Sequence, residues 1–80
     1  MKYLITEEWY EEDILDHGKC KTHATAYGLL SEITIKSYIR DMEKYSPYDY
    51  VDYHTYSSQE EYESMLKTIV MNGGQIFYEH

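Results

Sequence analysis

Apolar and polar positions change period several times along the chain, and each change predicts an element. The plainest pattern lies late: Tyr62, Met65, Leu66, Ile69 and Val70 recur at i, i+3, i+4, i+7 and i+8, one apolar stripe on a helix. Ser58-Gln59-Glu60-Glu61 stands just ahead of it and fits a capping box, in which a Ser hydroxyl and a Glu carboxylate satisfy free amides of the first turn. Glu60, Glu61 and Glu63 sit where the helix dipole favours negative charge. Gly73 supplies a left-handed stop. The pattern predicts a helix from about Ser58 to Asn72.

Strand patterns surround it. Gln75-Ile76-Phe77-Tyr78 reads as a short strand. Tyr48 to Tyr56, opened by Pro47, is rich in strand formers. Glu32-Ile33-Thr34-Ile35-Lys36 alternates with period two, which predicts a strand from Ser31 to about Arg40. A helix over Thr34–Tyr45 competes, because Ile35, Tyr38, Ile39 and Met42 also fit helical spacing. Lys2 to Thr6 and Lys21 to Tyr27 read as further strands. Glu7 to Asp16 is ambiguous: Thr6 offers a helix cap and Gly18 a stop, but Asp13 and Asp16 would oppose the dipole at the C-terminal end. The sum is an α+β fold in a single domain over 1–80, with a mainly antiparallel sheet of four to five strands. The late helix packs on one face, and tyrosines populate both faces.

Composition sharpens this picture. Eighty residues leave room for one domain with a thin core. Eleven tyrosines and one tryptophan must supply much of the apolar burial. Tyr suits that task, because its ring is apolar while its hydroxyl reaches water or a partner. Homodimerisation would enlarge so small a core. Cys20 is the only cysteine, so an intramolecular disulfide has no second partner. The start, MKYLITEEWYEED, lacks the apolar run of a signal peptide, and no stretch is long enough to span a bilayer. A reducing cytoplasm is the expected compartment.

Charge decides the class of partner. Fifteen Asp and Glu stand against seven Lys and Arg. That balance opposes direct nucleic-acid binding and attraction to anionic membranes, and favours a basic partner. Glu7, Glu8, Glu11, Glu12, Asp13 and Asp16 share one stretch with no Lys or Arg. Tyr45 to Leu66 carries Asp49, Asp52, Glu60, Glu61 and Glu63, again with no Lys or Arg and with tyrosines interleaved. Carboxylates two apart on a strand stand about 6.6 Å apart, close to the separation of neighbouring phosphates along a nucleic-acid strand. A folded face of this kind can imitate a phosphate track. The ordinary alternative is a solvated face that keeps a small protein soluble. Tyr and Trp beside a polar rim are common interface anchors. The candidate partner-binding residues are therefore Glu7, Glu8, Trp9, Glu11, Glu12, Asp13, Asp49 and Asp52, with Tyr50 and Tyr53 as anchors.

Through Glu7-Glu8-Trp9-Tyr10-Glu11-Glu12-Asp13 and Tyr48-Asp49-Tyr50-Val51-Asp52-Tyr53, the chain resembles the small acidic anti-defence proteins encoded by phages, including anti-CRISPR proteins and other DNA mimics. The likeness is one of size, charge and texture. No family motif carries it, so it assigns no residue a role. It implies steric or electrostatic blockade of a basic nucleic-acid-binding protein, a nuclease or CRISPR effector, in the host cytoplasm.

Other constellations are weaker. His17, Cys20 and His23 offer imidazole and thiolate at His-x2-Cys-x2-His spacing, suitable zinc ligands that Asp16, His54 or His80 could complete. Strong zinc signatures pair two such doublets, and on a strand Cys20 would face away from both histidines. A surface loop with a partly buried Cys is the plainer reading, and no cofactor is expected. Cys20 beside His17 or His23 also forms no legible catalytic set, since neither an oxyanion turn nor an orienting third group accompanies it. The expectation is a non-enzymatic protein. The alternative function is a DNA-binding regulator or antitoxin-like protein with a helix-turn-helix at about 24–45, where Lys36, Arg40 and Lys44 would line one side of the second helix.

Overall fold

Leu4, Ile5 and Thr6 are consecutive and all fully buried, so the strand that holds them is covered on both faces. The computed structural model describes residues 1–12 and 22–79. In chain order the elements are β1 (Lys2–Trp9), β2 (His23–Leu30), α1 (Glu32–Tyr45), β3 (Tyr50–Tyr56), α2 (Gln59–Met71) and β4 (Gln75–Tyr78). They form a four-stranded sheet in the order β3-β1-β2-β4. β1 runs antiparallel to both neighbours, and β4 runs parallel to β2. The fold is α+β with a mostly antiparallel sheet, as the sequence predicts.

The late helix lies where its stripe predicts. Ser58 caps it, its Oγ accepting the Glu61 amide at 3.2 Å. Tyr62, Leu66 and Ile69 pack onto Ile5, Ala24 and Ala26, flanked by Tyr3, Tyr56, Met65 and Ile76. The two alanines leave room for the helix to approach β2. The Tyr3 and Tyr62 rings stack with centroids 4.8 Å apart. The Tyr62 hydroxyl accepts the Gly28 amide at 3.1 Å, so the buried phenol keeps a polar partner. Burial still raises its pKa, with the Gly28 hydrogen bond pulling the other way. Full burial of each large side chain in this cluster contributes about 1.5–3 kcal/mol.

The expected strand from Ser31 to about Arg40 is instead α1. Ser31 is its N-cap, and its Oγ accepts the Thr34 amide at 3.2 Å. The period-two alternation misleads because Ile33 and Ile35 do not share a face: Ile33 is 83% exposed and Ile35 is 6% exposed. The helical stripe prevails because it has a surface to cover. Leu4, Thr6, Glu8 and Tyr27 occupy the sheet face opposite α2 by strand alternation. There the Tyr27 ring lies 5.1 Å from that of Tyr38, and its hydroxyl lies 4.0 Å from Met42 Sδ. The sheet thus carries one helix on each face, not a single helix on one.

Two further expectations change. His23–Leu30 is a strand, in line with the strand expected over Lys21 to Tyr27, so the first helix of a helix-turn-helix over 24–45 is absent. β1 continues through Trp9, so Thr6 lies inside a strand rather than at a helix start. The β1–β2 register slips between Leu4 and Ile5, pairing them with Gly28 and Ala26 and leaving Tyr27 as the extra residue of a bulge. Gly28 holds φ +76° there, in the left-handed region that glycine enters freely. Among the described residues, no helix is long and apolar enough to cross a membrane.

Candidate functional site

Antiparallel pairing of β1 with β3 brings the two acidic stretches of the chain together. Glu7 stands opposite Asp52, Glu8 opposite Val51 and Trp9 opposite Tyr50. Beyond the strand ends the contact continues: the Asp49 amide donates to the Trp9 carbonyl at 3.0 Å, and the Glu11 amide donates to Asp49 Oδ2 at 2.8 Å. Residues 7–12 and 49–53, separate in sequence, form one acidic end of the molecule. β3 is an edge strand, so this end is open on one side.

The carboxylates do not form one flat face. Neighbours on a strand point to opposite sides, and the predicted residues divide accordingly. Glu7, Trp9, Tyr50 and Asp52 share the face that carries α2, while Glu8, Val51 and Tyr53 share the face that carries α1. Glu7 is buried and meets His54, with Oε1 and Nε2 3.3 Å apart. It serves the fold's interior rather than a partner. Glu11, Glu12, Asp49, Tyr50 and Asp52 are exposed, and Trp9 and Tyr53 are half-buried. Among the described residues, no lysine or arginine lies within 4.0 Å of a described carboxylate. Asp13, His17 and Cys20 lie outside the described residues. His23 opens β2, opposite Glu8. Among the described residues no three His, Cys, Asp or Glu side chains gather as a metal would need.

Glu8 belongs to a feature the sequence reading missed. It lines a groove of about 470 Å³ between the sheet and the C-terminal half of α1, together with Tyr27, Tyr38, Asp41, Met42, Tyr45, Tyr48 and Glu79. Tyr38, Asp41, Met42 and Tyr45 fall one helical turn apart, a signal visible only when Glu32–Tyr45 is read as a helix. Tyr48 is held by its neighbours, its ring 4.6 Å from that of Tyr10 and 5.9 Å from that of His23.

Electrostatics in the groove follow from burial. Desolvation raises the Glu8 pKa, and His23 across the strand pair opposes the rise. Burial also raises the pKa values of Tyr27 and Tyr48 above the usual phenol value, and the Glu8 charge adds to each. Thr6 is fully buried, and its hydroxyl makes no hydrogen bond of normal length, though it lies near enough to Tyr27 to favour the phenolate slightly. The basic residues of α1 do not line the groove. Lys36, Arg40 and Lys44 are exposed, and Lys44 Nζ rests 5.4 Å from the ring centroid of Tyr45.

Such a surface can hold positive groups by charge and by the negative faces of its rings. No family model, curated protein or solved structure matches the chain.

Proposed function

We propose that this protein is a non-enzymatic inhibitor that occupies a basic nucleic-acid-binding surface of a partner protein. The observation that carries the reading is the β1–β3 pairing, which sets Glu11 beside Asp49 and Glu7 opposite Asp52, with the Trp9–Tyr50 pair between them. A local excess of carboxylate repels itself and is relieved by a basic surface. Aromatic rings among the carboxylates supply the apolar contact that charge alone lacks. This is the mode of action that the phage anti-defence resemblance implies, with a nuclease or CRISPR effector as the partner class. Charge mimicry here rests on an acidic end with residues on two faces, not on a continuous track along one strand.

Affinity purification from the native host tests it, followed by salt titration and nucleic-acid competition on the recovered protein. The expected partner is basic, is displaced by salt and loses its nucleic acid when this chain binds. A partner held equally at high salt, or one that binds nucleic acid and this chain together, overturns the reading.

A further inference from the structure

We propose that the groove between α1 and the sheet is a receptor for the guanidinium group of an arginine side chain on a partner protein. The inference deepens the proposed function and rests on it for the source of the arginine.

The groove's lining is selective in kind. Tyr27, Tyr38, Tyr45 and Tyr48 supply four aromatic rings, and Glu8, Asp41 and Glu79 supply three carboxylates, with no lysine or arginine among the described lining residues. These groups come from five places in the chain: β1, β2, α1, the segment before β3 and the residue after β4. Their convergence is therefore a product of the fold and not of one acidic run. Ring faces carry partial negative charge, and a cation over them is attracted most when water is displaced. One wall already shows this behaviour, since the protein's own Lys44 ammonium lies over Tyr45.

Shape favours a guanidinium over an ammonium. Guanidinium is planar, stacks on tyrosine rings and carries five donors in a fixed fork that matches carboxylates. An ammonium is compact and strongly hydrated, and gains less from flat walls. The groove is open along one side, which admits a side chain projecting from a folded surface. It adjoins the acidic end through the tilted pair of Tyr10 and Tyr48 rings, so a basic surface docked there has its arginines within reach.

The floor carries a cost that a cation would offset. Glu8 is half-buried without a cationic lysine or arginine partner among the described residues, and desolvation disfavours its charged form. Behind it on the same face, the fully buried Thr6 hydroxyl lacks a partner. Polar groups left short of partners in a thin core are a place where stability has yielded to another demand.

The test is a titration of the isotope-labelled full chain with N-acetylarginine methylamide at low ionic strength, read by backbone amide shifts. Saturable shifts are expected at Tyr27, Tyr38, Met42, Tyr48 and Glu79, with a millimolar Kd suited to one side chain. The corresponding lysine derivative should bind several-fold more weakly. Glu8→Gln and Asp41→Asn should each weaken the arginine probe several-fold, while Glu60→Gln/Glu61→Gln on α2 should leave it unchanged. The amide spectrum of each variant shows independently that it is folded. Shifts that never saturate, shifts reproduced by sodium chloride, or equal binding of the lysine derivative overturn the proposal. So does arginine binding that survives both groove substitutions. The titration needs no partner, so an empty groove alongside a salt-sensitive basic partner would reject the arginine receptor alone, and a filled groove with no such partner would reject the inhibitor reading alone.

Discussion

Glu7 Oε1 lies 3.3 Å from His54 Nε2, a contact that spans β1 and the edge strand β3 on the face covered by α2. Glu7 is buried while His54 keeps more access to water, so the histidine is the group that completes the carboxylate. Removing it leaves a buried acceptor unsatisfied, which costs about 1–3 kcal/mol. His54→Ala should therefore lower stability by that order in urea denaturation. Glu7→Gln should cost less, because an amide can still meet the imidazole. A double-mutant cycle checks the coupling: purely additive losses would show that the two side chains do not support each other.

Glu8 presents the opposite case, a carboxylate that the fold tolerates rather than uses. Its folded pKa is raised above the usual 4.5, chiefly by burial. Between 4.5 and the raised value, the folded state holds a proton that the unfolded state has released. Stability therefore falls as pH rises through that window, and levels off once the folded carboxyl is also ionised. Glu8→Gln removes this dependence. The variant should match the wild type at low pH and exceed it at neutral pH, as measured by chemical denaturation across the range. Parallel stability curves for the two proteins would contradict the prediction.

Legibility in the sequence followed the strength of local signals. Ser58, the 62–70 stripe and Gly73 agree with one another, and α2 with its stop lies within a residue of expectation. Residues 31–45 carry two periods at once, and only the presence of an uncovered sheet face decides between them. That information is tertiary: Leu4 and Thr6 need a cover, and Ile35, Tyr38 and Met42 provide it. The site divided in the same way. That acids cluster along the chain is readable, and the pairing of β1 with β3 does join the two clusters. Which carboxylates face outward depends on strand register. So Glu7 and Glu8, adjacent in sequence, end in different environments, and a groove assembled from five segments leaves no local trace.

The chain passes closely by its neighbours at Gly74, in the turn from α2 into β4. A Cβ on Gly74 would stand 2.6 Å from Ile69 Cγ2, 3.0 Å from the Ile69 carbonyl oxygen and 3.1 Å from the Thr22 carbonyl oxygen. Neither oxygen is free to retreat, since each accepts a backbone amide at 2.9 Å, from Gly74 and Gln75 respectively. Gly74→Ala should cost about 1–3 kcal/mol through this overpacking. Gly73 has φ +85° and open space around it, so Gly73→Ala should cost only about 1–2 kcal/mol of left-handed strain. Thermal or urea unfolding of the two variants gives the order. A Gly73 substitution more damaging than the Gly74 one would show that backbone strain, and not the close approach, governs this turn.

Charge reversal separates the acidic end from acidity in general. Glu11→Lys/Glu12→Lys changes net charge by the same amount as Glu60→Lys/Glu61→Lys, and all four residues are exposed. The first pair lies at the β1–β3 end, and the second at the start of α2, where the helix dipole prefers acids. A partner attracted only by total charge would respond equally to both. A partner that docks on the acidic end should associate about tenfold more slowly with the first variant, and little differently with the second. The first variant should also show a shallower dependence of association rate on salt, because fewer steering charges remain to be screened. Stopped-flow or surface association measurements across ionic strength decide between the cases. Equal slowing by both variants would place the attraction in the whole molecule and withdraw it from the surface formed by Trp9, Glu11, Glu12, Asp49 and Tyr50.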